Sequence, residues 1–328
     1  MNGKIALEEH FVTPELERCA AAVGWPETAW RKVLDGLEDV AGGRLAEMDR
    51  CGIELAVLSL SSDGIQSIPD PDDAVRTARE ANDALAAVVA GQPDRFAGFA
   101  ALPLQDPTAA MEELTRTVVE LGFVGALANG YSDLPGGEVA YYDQPEYEPF
   151  WQRVAELGVP FYLHPRNPVD GGGRAYAGRP ELLGPTWAFG VETGTHALRL
   201  ILSGLFDRVP GLQIILGHQG ETLPFAIARL EQRLSRRPHA LTKLPRAVLR
   251  EHFHMTVSGN YHTPSLLGLL LELGADRVLF SADHPFEAMH DASDWFDGLP
   301  ISDSDKLKIG RNNAESLLGL GERAGPPA

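Results

Sequence analysis

Lys4-Ile5-Ala6-Leu7-Glu8-Glu9-His10 reads as a short apolar strand that runs into a carboxylate and an imidazole two residues apart. Side chains at i and i+2 of a strand point the same way, so Glu8 and His10 converge on one point. Three later apolar segments also end in a metal-competent residue: Pro160–His164 (PFYLH), Gln213–His218 (QIILGH) and Arg277–Asp283 (RVLFSAD). Four such strand ends predict one site assembled at the C-terminal face of a parallel barrel, where this architecture places its chemistry.

Working outward, eight apolar or β-rich segments recur: Lys4–His10, Glu54–Leu60, Phe96–Leu102, Val124–Asn129, Pro160–His164, Gln213–His218, Phe253–Ser258 and Arg277–Asp283. Stretches of helical periodicity separate them, at Pro71–Val89, Asp106–Leu121, Tyr147–Leu157, Leu198–Asp207, Leu223–Ser235, Pro264–Leu273 and Ser302–Leu318. Eight alternations predict a closed (β/α)8 TIM barrel in the α/β class. Residues about 11–44, 130–146 and 165–190 exceed a minimal barrel, and long loops after barrel strands build the active-site rim. The expected organisation is one catalytic domain over residues 1–320, with a flexible tail over 321–328.

With a net charge of −18, the chain lacks the basic surface that nucleic acid or an anionic membrane requires. Hydrophobic residues at 44% and charged residues at 23% describe a globular chain with a full core. Cys19 and Cys51 offer no disulfide framework, no signal peptide precedes the first strand, and a cytoplasmic protein is expected. No Gly-rich phosphate loop, GxSxG elbow or CxxC pair occurs.

A divalent cation takes carboxylate oxygens and imidazole nitrogens with a position left open for substrate. Glu8, His10, His164 and Asp283 supply that set, and His218 is a fifth strand-end candidate. Any one of these histidines alone would suit a hydrogen-bonded structural role; their shared position argues for a site. Glu221, expected to begin the next helix, either orients the His218 imidazole or complements the helix N-terminus. Arg229, two turns on, would pair with a substrate carboxylate or with a neighbouring acid. Asn129 ends the fourth strand and would contact substrate or cap its loop. His196 reads as a packing residue, and His284 as pointing away from the site.

These residues stand in strings with a further meaning: Gly3–Phe11 (GKIALEEHF), Pro93–Pro107 (PDRFAGFAALPLQDP), Leu121–Gly130 (LGFVGALANG), Pro160–Pro168 (PFYLHPRNP), Ile214–Glu221 (IILGHQGE) and Arg277–Glu287 (RVLFSADHPFE). Nearly the whole chain resembles the amidohydrolase superfamily and, within it, the non-oxidative decarboxylases of hydroxybenzoic acids such as γ-resorcylate and 2,3-dihydroxybenzoate. The resemblance implies one Zn²⁺ or Mn²⁺ on Glu8, His10, His164 and Asp283, and no organic cofactor. It implies an acid–base or polarising pair in His218 and Glu221, and substrate-binding positions at Asn129, Arg229 and Phe286. It also implies a small aromatic carboxylic acid as substrate and a homodimer or homotetramer. Chemistry adds that the ring carbon must be protonated before CO₂ leaves, with Asp283 as candidate donor and His218 as substitute. The competing expectations are a metal-dependent hydrolase of a lactone or cyclic amide, and a catalytically silent barrel used for binding.

Overall fold

The computed structural model describes residues 1–20 and 25–322, so residues 323–328 of the expected tail and 21–24 of the first long loop lie outside the description. Eight parallel strands form one sheet in chain order: β1 (Lys4–Phe11), β2 (Ile53–Leu60), β3 (Phe96–Ala101), β4 (Gly125–Asn129), β5 (Phe161–His164), β6 (Ile214–Leu216), β7 (Phe253–Thr256) and β8 (Val278–Leu279). The sheet closes on itself because the chain after β8 returns to β1. Asp283 N donates to Glu8 O at 2.9 Å, His10 N donates to His284 O at 2.8 Å, and Glu9 forms a bridge with His284. The expected TIM barrel is the observed fold.

Side chains of the strands divide between two buried layers. Ile5, Leu7, Val57, Phe99, Tyr162 and Ile215 fill the barrel interior. The alternate residues, among them Ala6, Leu58, Phe161 and Leu216, pack outward under the helices. Helix starts follow side-chain capping: Asp70 accepts from Asp73 N ahead of Pro71–Gly91, and Asp106 accepts from Thr108 N and Ala109 N ahead of Pro107–Val119. Gly158, with φ 66°, ends Glu148–Leu157 as the turn before β5 requires.

Three departures from the sequence reading bear on the site. The ladder of β8 stops at Leu279 and that of β6 at Leu216, short of Asp283 and His218, which take φ of 70° and 52°. Positive φ ends an extended strand, so both residues stand on turns rather than on strand. The loop expected over 11–44 contains helices Glu27–Glu38 and Gly43–Cys51, whose glycines at 36, 42 and 43 obscure the periodicity. The stretch Ser302–Leu318 resolves into Asp303–Leu307, a π-turn Lys308–Asn312 and Asn313–Leu318. Helices Pro245–His252 and Met289–Asp297 complete the outer layer. No helix among the described residues is long and apolar enough to cross a membrane.

Candidate metal centre

Glu8 and His10 reach the barrel interior through a break in register. Ala6 pairs with Ala56 but Glu9 pairs with Leu58, so β1 spends three residues where β2 spends two. The extra residue is a β-bulge, which re-aims the side chains that follow it. Leu7 faces inward below the bulge, and Glu8 and His10 face inward above it. Glu9 therefore turns outward, where its carboxylate accepts from Ala282 N (2.9 Å), Ser281 Oγ (3.0 Å) and His284 N (3.3 Å). Glu9 clasps the start of the chain to the loop that carries Asp283. Burial holds its carboxyl up at about 8.

Glu8, His10, His164 and Asp283 come together with one ligand atom each, all within 4.8 Å of one another. His10 Nε2 lies 3.3 Å from Asp283 Oδ1, and His164 Nε2 lies 3.3 Å from Glu8 Oε1. The two oxygens of Glu8 have different duties. Oε2 accepts from the hydroxyls of Tyr162, Ser258 and Thr256. Oε1 is buried with no hydrogen-bond partner among the described residues, and so is His10 Nε2. Orphaned buried polar atoms of this kind are costly unless a ligand satisfies them. Two carboxylates and two imidazoles facing one point fit a divalent cation.

Outer partners fix the ligand atoms. Ser59 Oγ sits 3.2 Å from His10 Nδ1, leaving Nε2 to face the centre. Gly217 is needed beside Glu8: a Cβ there would stand 2.9 Å from Glu8 Oε2 and 3.2 Å from the Tyr162 hydroxyl. Burial alone would raise the Glu8 carboxyl, but His218, His164 and His10 around it hold it below the usual carboxylate range.

His218 stands at the rim, its Nδ1 2.6 Å from Glu221 Oε1 and its Nε2 3.5 Å from Asp283 Oδ2 and 3.6 Å from Glu8 Oε1. Burial opposes its charge, yet the carboxylates of Glu221 and Glu8 outweigh that and raise the imidazole well above its usual value. Glu221 precedes helix Leu223–Leu234 by two residues and sits in the turn with φ 52°, so it does not begin the helix as the sequence suggested. A run of left-handed residues, His218, Gln219 and Glu221, folds that turn back so that the two side chains meet.

A small cavity of about 80 Å³ opens over this cluster, bounded by His164, His218 and Asp283 below and by Trp25, Phe189 and Phe286 above. Phe286 is brought to the site as expected, and its ring meets His10 edge-on at 5.6 Å. Asn129 pairs in register with His164 but packs behind the cavity, its amide against Gly64 and its Oδ1 without a partner among the described residues. Arg229 is not brought in: helix Leu223–Leu234 buries Leu223, Pro224 and Ile227, which leaves Arg229 on the solvent face. The sequence reading missed Asp63, Pro185 and Glu287 in the cavity wall. The signal for Asp63 was available, a carboxylate just past the second strand, but no histidine drew attention to it. His196 is a packing residue, its ring against Tyr141 and Tyr142 at 4.9 Å.

The amidohydrolase family model matches residues 10–320 of this chain. The chain belongs to the amidohydrolase family. Among curated amidohydrolase relatives it is 51% identical to the γ-resorcylate decarboxylase of Rhizobium sp. (strain MTP-10005), over 98% of this chain and 99% of that one. It is similar, with TM-score 0.94 and 50% identity over 97% of this chain and all of the other, to a crystal structure of 2,6-dihydroxybenzoate decarboxylase complexed with 2,6-dihydroxybenzoate. A dihydroxybenzoic acid decarboxylase from Polaromonas sp. JS666, with bound manganese and the inhibitor 2-nitroresorcinol, superposes with TM-score 0.95 at 49% identity, covering 99% and 98% of the two chains.

Proposed function

We propose that this chain is a carboxy-lyase that removes CO₂ non-oxidatively from an ortho-hydroxybenzoic acid, with 2,6-dihydroxybenzoate as its reference substrate. The observation that carries the reading is the Glu8–His10–His164–Asp283 cluster under an aromatic-walled cavity, in a chain half identical to γ-resorcylate decarboxylases. Residues 1–320 act as one catalytic domain, working in the cytoplasm as a homodimer or homotetramer.

Glu8, His10, His164 and Asp283 would hold one Zn²⁺ or Mn²⁺. When bound, the cation supplies Lewis acidity and a template for the ortho-hydroxyl and carboxylate oxygens of the substrate. The remaining work falls to the chain's own groups. Phe286, Phe189 and Trp25 enclose the ring and exclude water. Asp283 gives its proton to the ring carbon that bears the carboxylate, which interrupts aromaticity and lets CO₂ depart. His218, kept charged by Glu221, returns a proton to Asp283 Oδ2 across 3.5 Å. Departure of CO₂ restores the aromatic ring and His218 regains its proton from water, so each cycle takes up one proton, consumes no cofactor and runs backward at high bicarbonate.

A screen of ortho-hydroxylated benzoates with Mn²⁺- and Zn²⁺-loaded protein tests this directly. CO₂ and the matching phenol are expected, with about one equivalent of metal by elemental analysis. Product that instead carries solvent oxygen after ring opening would return the site to hydrolase chemistry.

A further inference from the structure

The cavity holds more carboxylate than the proposed reaction uses. Besides Asp283 its wall includes Asp63 and Glu287, although the substrate it would receive is itself an anion. Surplus acceptors in an anion site make sense only if the ligand also presents hydrogen-bond donors. Glu287 lies on the metal side, its backbone N donating to Asp283 O at 3.0 Å. Asp63 lies elsewhere. It stands three residues past the end of β2, and β2 is four strands from β6 in the closed ring of eight, hence across the barrel mouth from His218.

None of the described residues occupies the Asp63 carboxyl. It makes no hydrogen bond or ion pair with any described residue. The cation that influences it most, Arg166, is committed elsewhere. That guanidinium lies 2.6 Å from Asp133 Oδ2, donates to Tyr131 O at 2.9 Å and stacks 4.4 Å from the Tyr131 ring. The half-buried Asp63 side chain is therefore an unpaired acceptor facing the cavity on the side away from His218.

We propose that Asp63 accepts a hydrogen bond from the second ortho-hydroxyl of the substrate, and that it selects a 2,6-dihydroxylated ring over one with a single ortho-hydroxyl. The inference rests on the decarboxylase reading above and names its specificity. With one hydroxyl directed to the cation ligands, the other projects to the far side of the carboxylate, towards Asp63. In the ground state that hydroxyl donates to the neighbouring carboxylate. As the carbon–carbon bond breaks, the carboxylate gives up its negative charge to become CO₂, and the hydroxyl loses its acceptor. Asp63 shares that hydroxyl in the bound state and becomes its sole acceptor as the bond breaks, so the interaction contributes to binding and grows towards the transition state. A site built to bond a substrate hydroxyl discriminates strongly against the analogue that lacks it.

The test compares Mn²⁺-loaded wild type with Asp63→Asn and Asp63→Ser. The first readout is the ratio of kcat/KM for 2,6-dihydroxybenzoate to that for 2-hydroxybenzoate. The ratio is expected to fall by about 10–100-fold, with the loss divided between KM and kcat, as suits a hydrogen bond to a charged acceptor. The second readout is equilibrium binding of 2-nitroresorcinol against 2-nitrophenol, whose preference should fall in the same variants. Substrate ratios within about threefold of wild type in both variants would overturn the assignment, whatever happens to the absolute rates. If wild type releases no CO₂ from any ortho-hydroxybenzoate, the decarboxylase reading fails by itself. The nitrophenol pair then still decides Asp63, an unchanged binding preference refuting it.

Discussion

In the proposed reaction Asp283 does two things with one carboxylate: Oδ1 faces His10 at 3.3 Å and Oδ2 faces His218 at 3.5 Å. An amide at this position keeps an oxygen donor but has no carboxyl proton to give. Asp283→Asn is therefore expected to lower kcat by about 10³-fold, within the range of general-acid removal, while elemental analysis still finds metal. Turnover near the wild-type rate would reassign the donor. Glu8 depends on hydroxyls behind it, chief among them Tyr162. Tyr162→Phe should weaken metal affinity by about 10–100-fold in an equilibrium Mn²⁺ titration, the usual cost of losing an outer partner; unchanged affinity would remove Tyr162 from the site. At this scale the sequence was legible where a residue type carries its chemistry on its face. Glu8, His10, His164, His218 and Asp283 were readable as residues that gather at one point. Arg229 was not, because spacing along a helix says which residues share a face without saying which face is buried.

The elements that deliver these side chains are irregular where it matters. The β-bulge in β1 sets Glu8 and His10 inward, and positive φ at His218 and Asp283 ends β6 and β8 just before the working residues. Neither device has a clear signature in hydrophobic pattern, which reports period and not phase, so the strand count was readable and the turns were not. The same geometry makes one neighbouring position intolerant. Gly259, with φ 58°, lies past β7, and a Cβ there would stand 2.9 Å from His218 Cδ2 and 3.1 Å from Asp283 Oδ2. Gly259→Ala should cost about 1–2 kcal/mol of stability for the left-handed backbone, and should lower kcat by more than tenfold by displacing the rim imidazole. Matched thermal melts and rate measurements check it. A variant that melts early but turns over normally would mean that the His218–Asp283 spacing is not critical.

Over the whole molecule, the alternation of eight apolar segments with helices was enough to give the barrel, because a parallel sheet needs a crossover between each pair of strands and has few ways to bury both faces. What the pattern could not give is the electrostatic cost of the buried groups away from the site, and that cost makes a testable demand on pH. His196 is wedged between Tyr141 and Tyr142, where Tyr142 N donates to its Nε2 at 3.2 Å; burial, with Arg199 nearby, holds it down at about 3. His254 is buried with Arg277 Nη1 3.0 Å from its Nε2, and burial with that cation likewise holds it at about 3. Both stay neutral in the folded protein at pH values where the unfolded chain, near 6.5, takes up a proton. The unfolded state then binds more protons than the folded one, so stability falls as pH drops from 6.5 towards 3 and is untouched by these groups above 6.5. Each imidazole contributes a slope of about 1.4 kcal/mol per pH unit in that window. His196→Asn lowers stability at neutral pH through lost packing, but it removes one of the titrating groups. Urea melts between pH 6 and pH 4.5 should therefore show a shallower loss of stability for the variant, by about one proton. Parallel curves would mean that the His196 imidazole is protonated in the fold despite its burial.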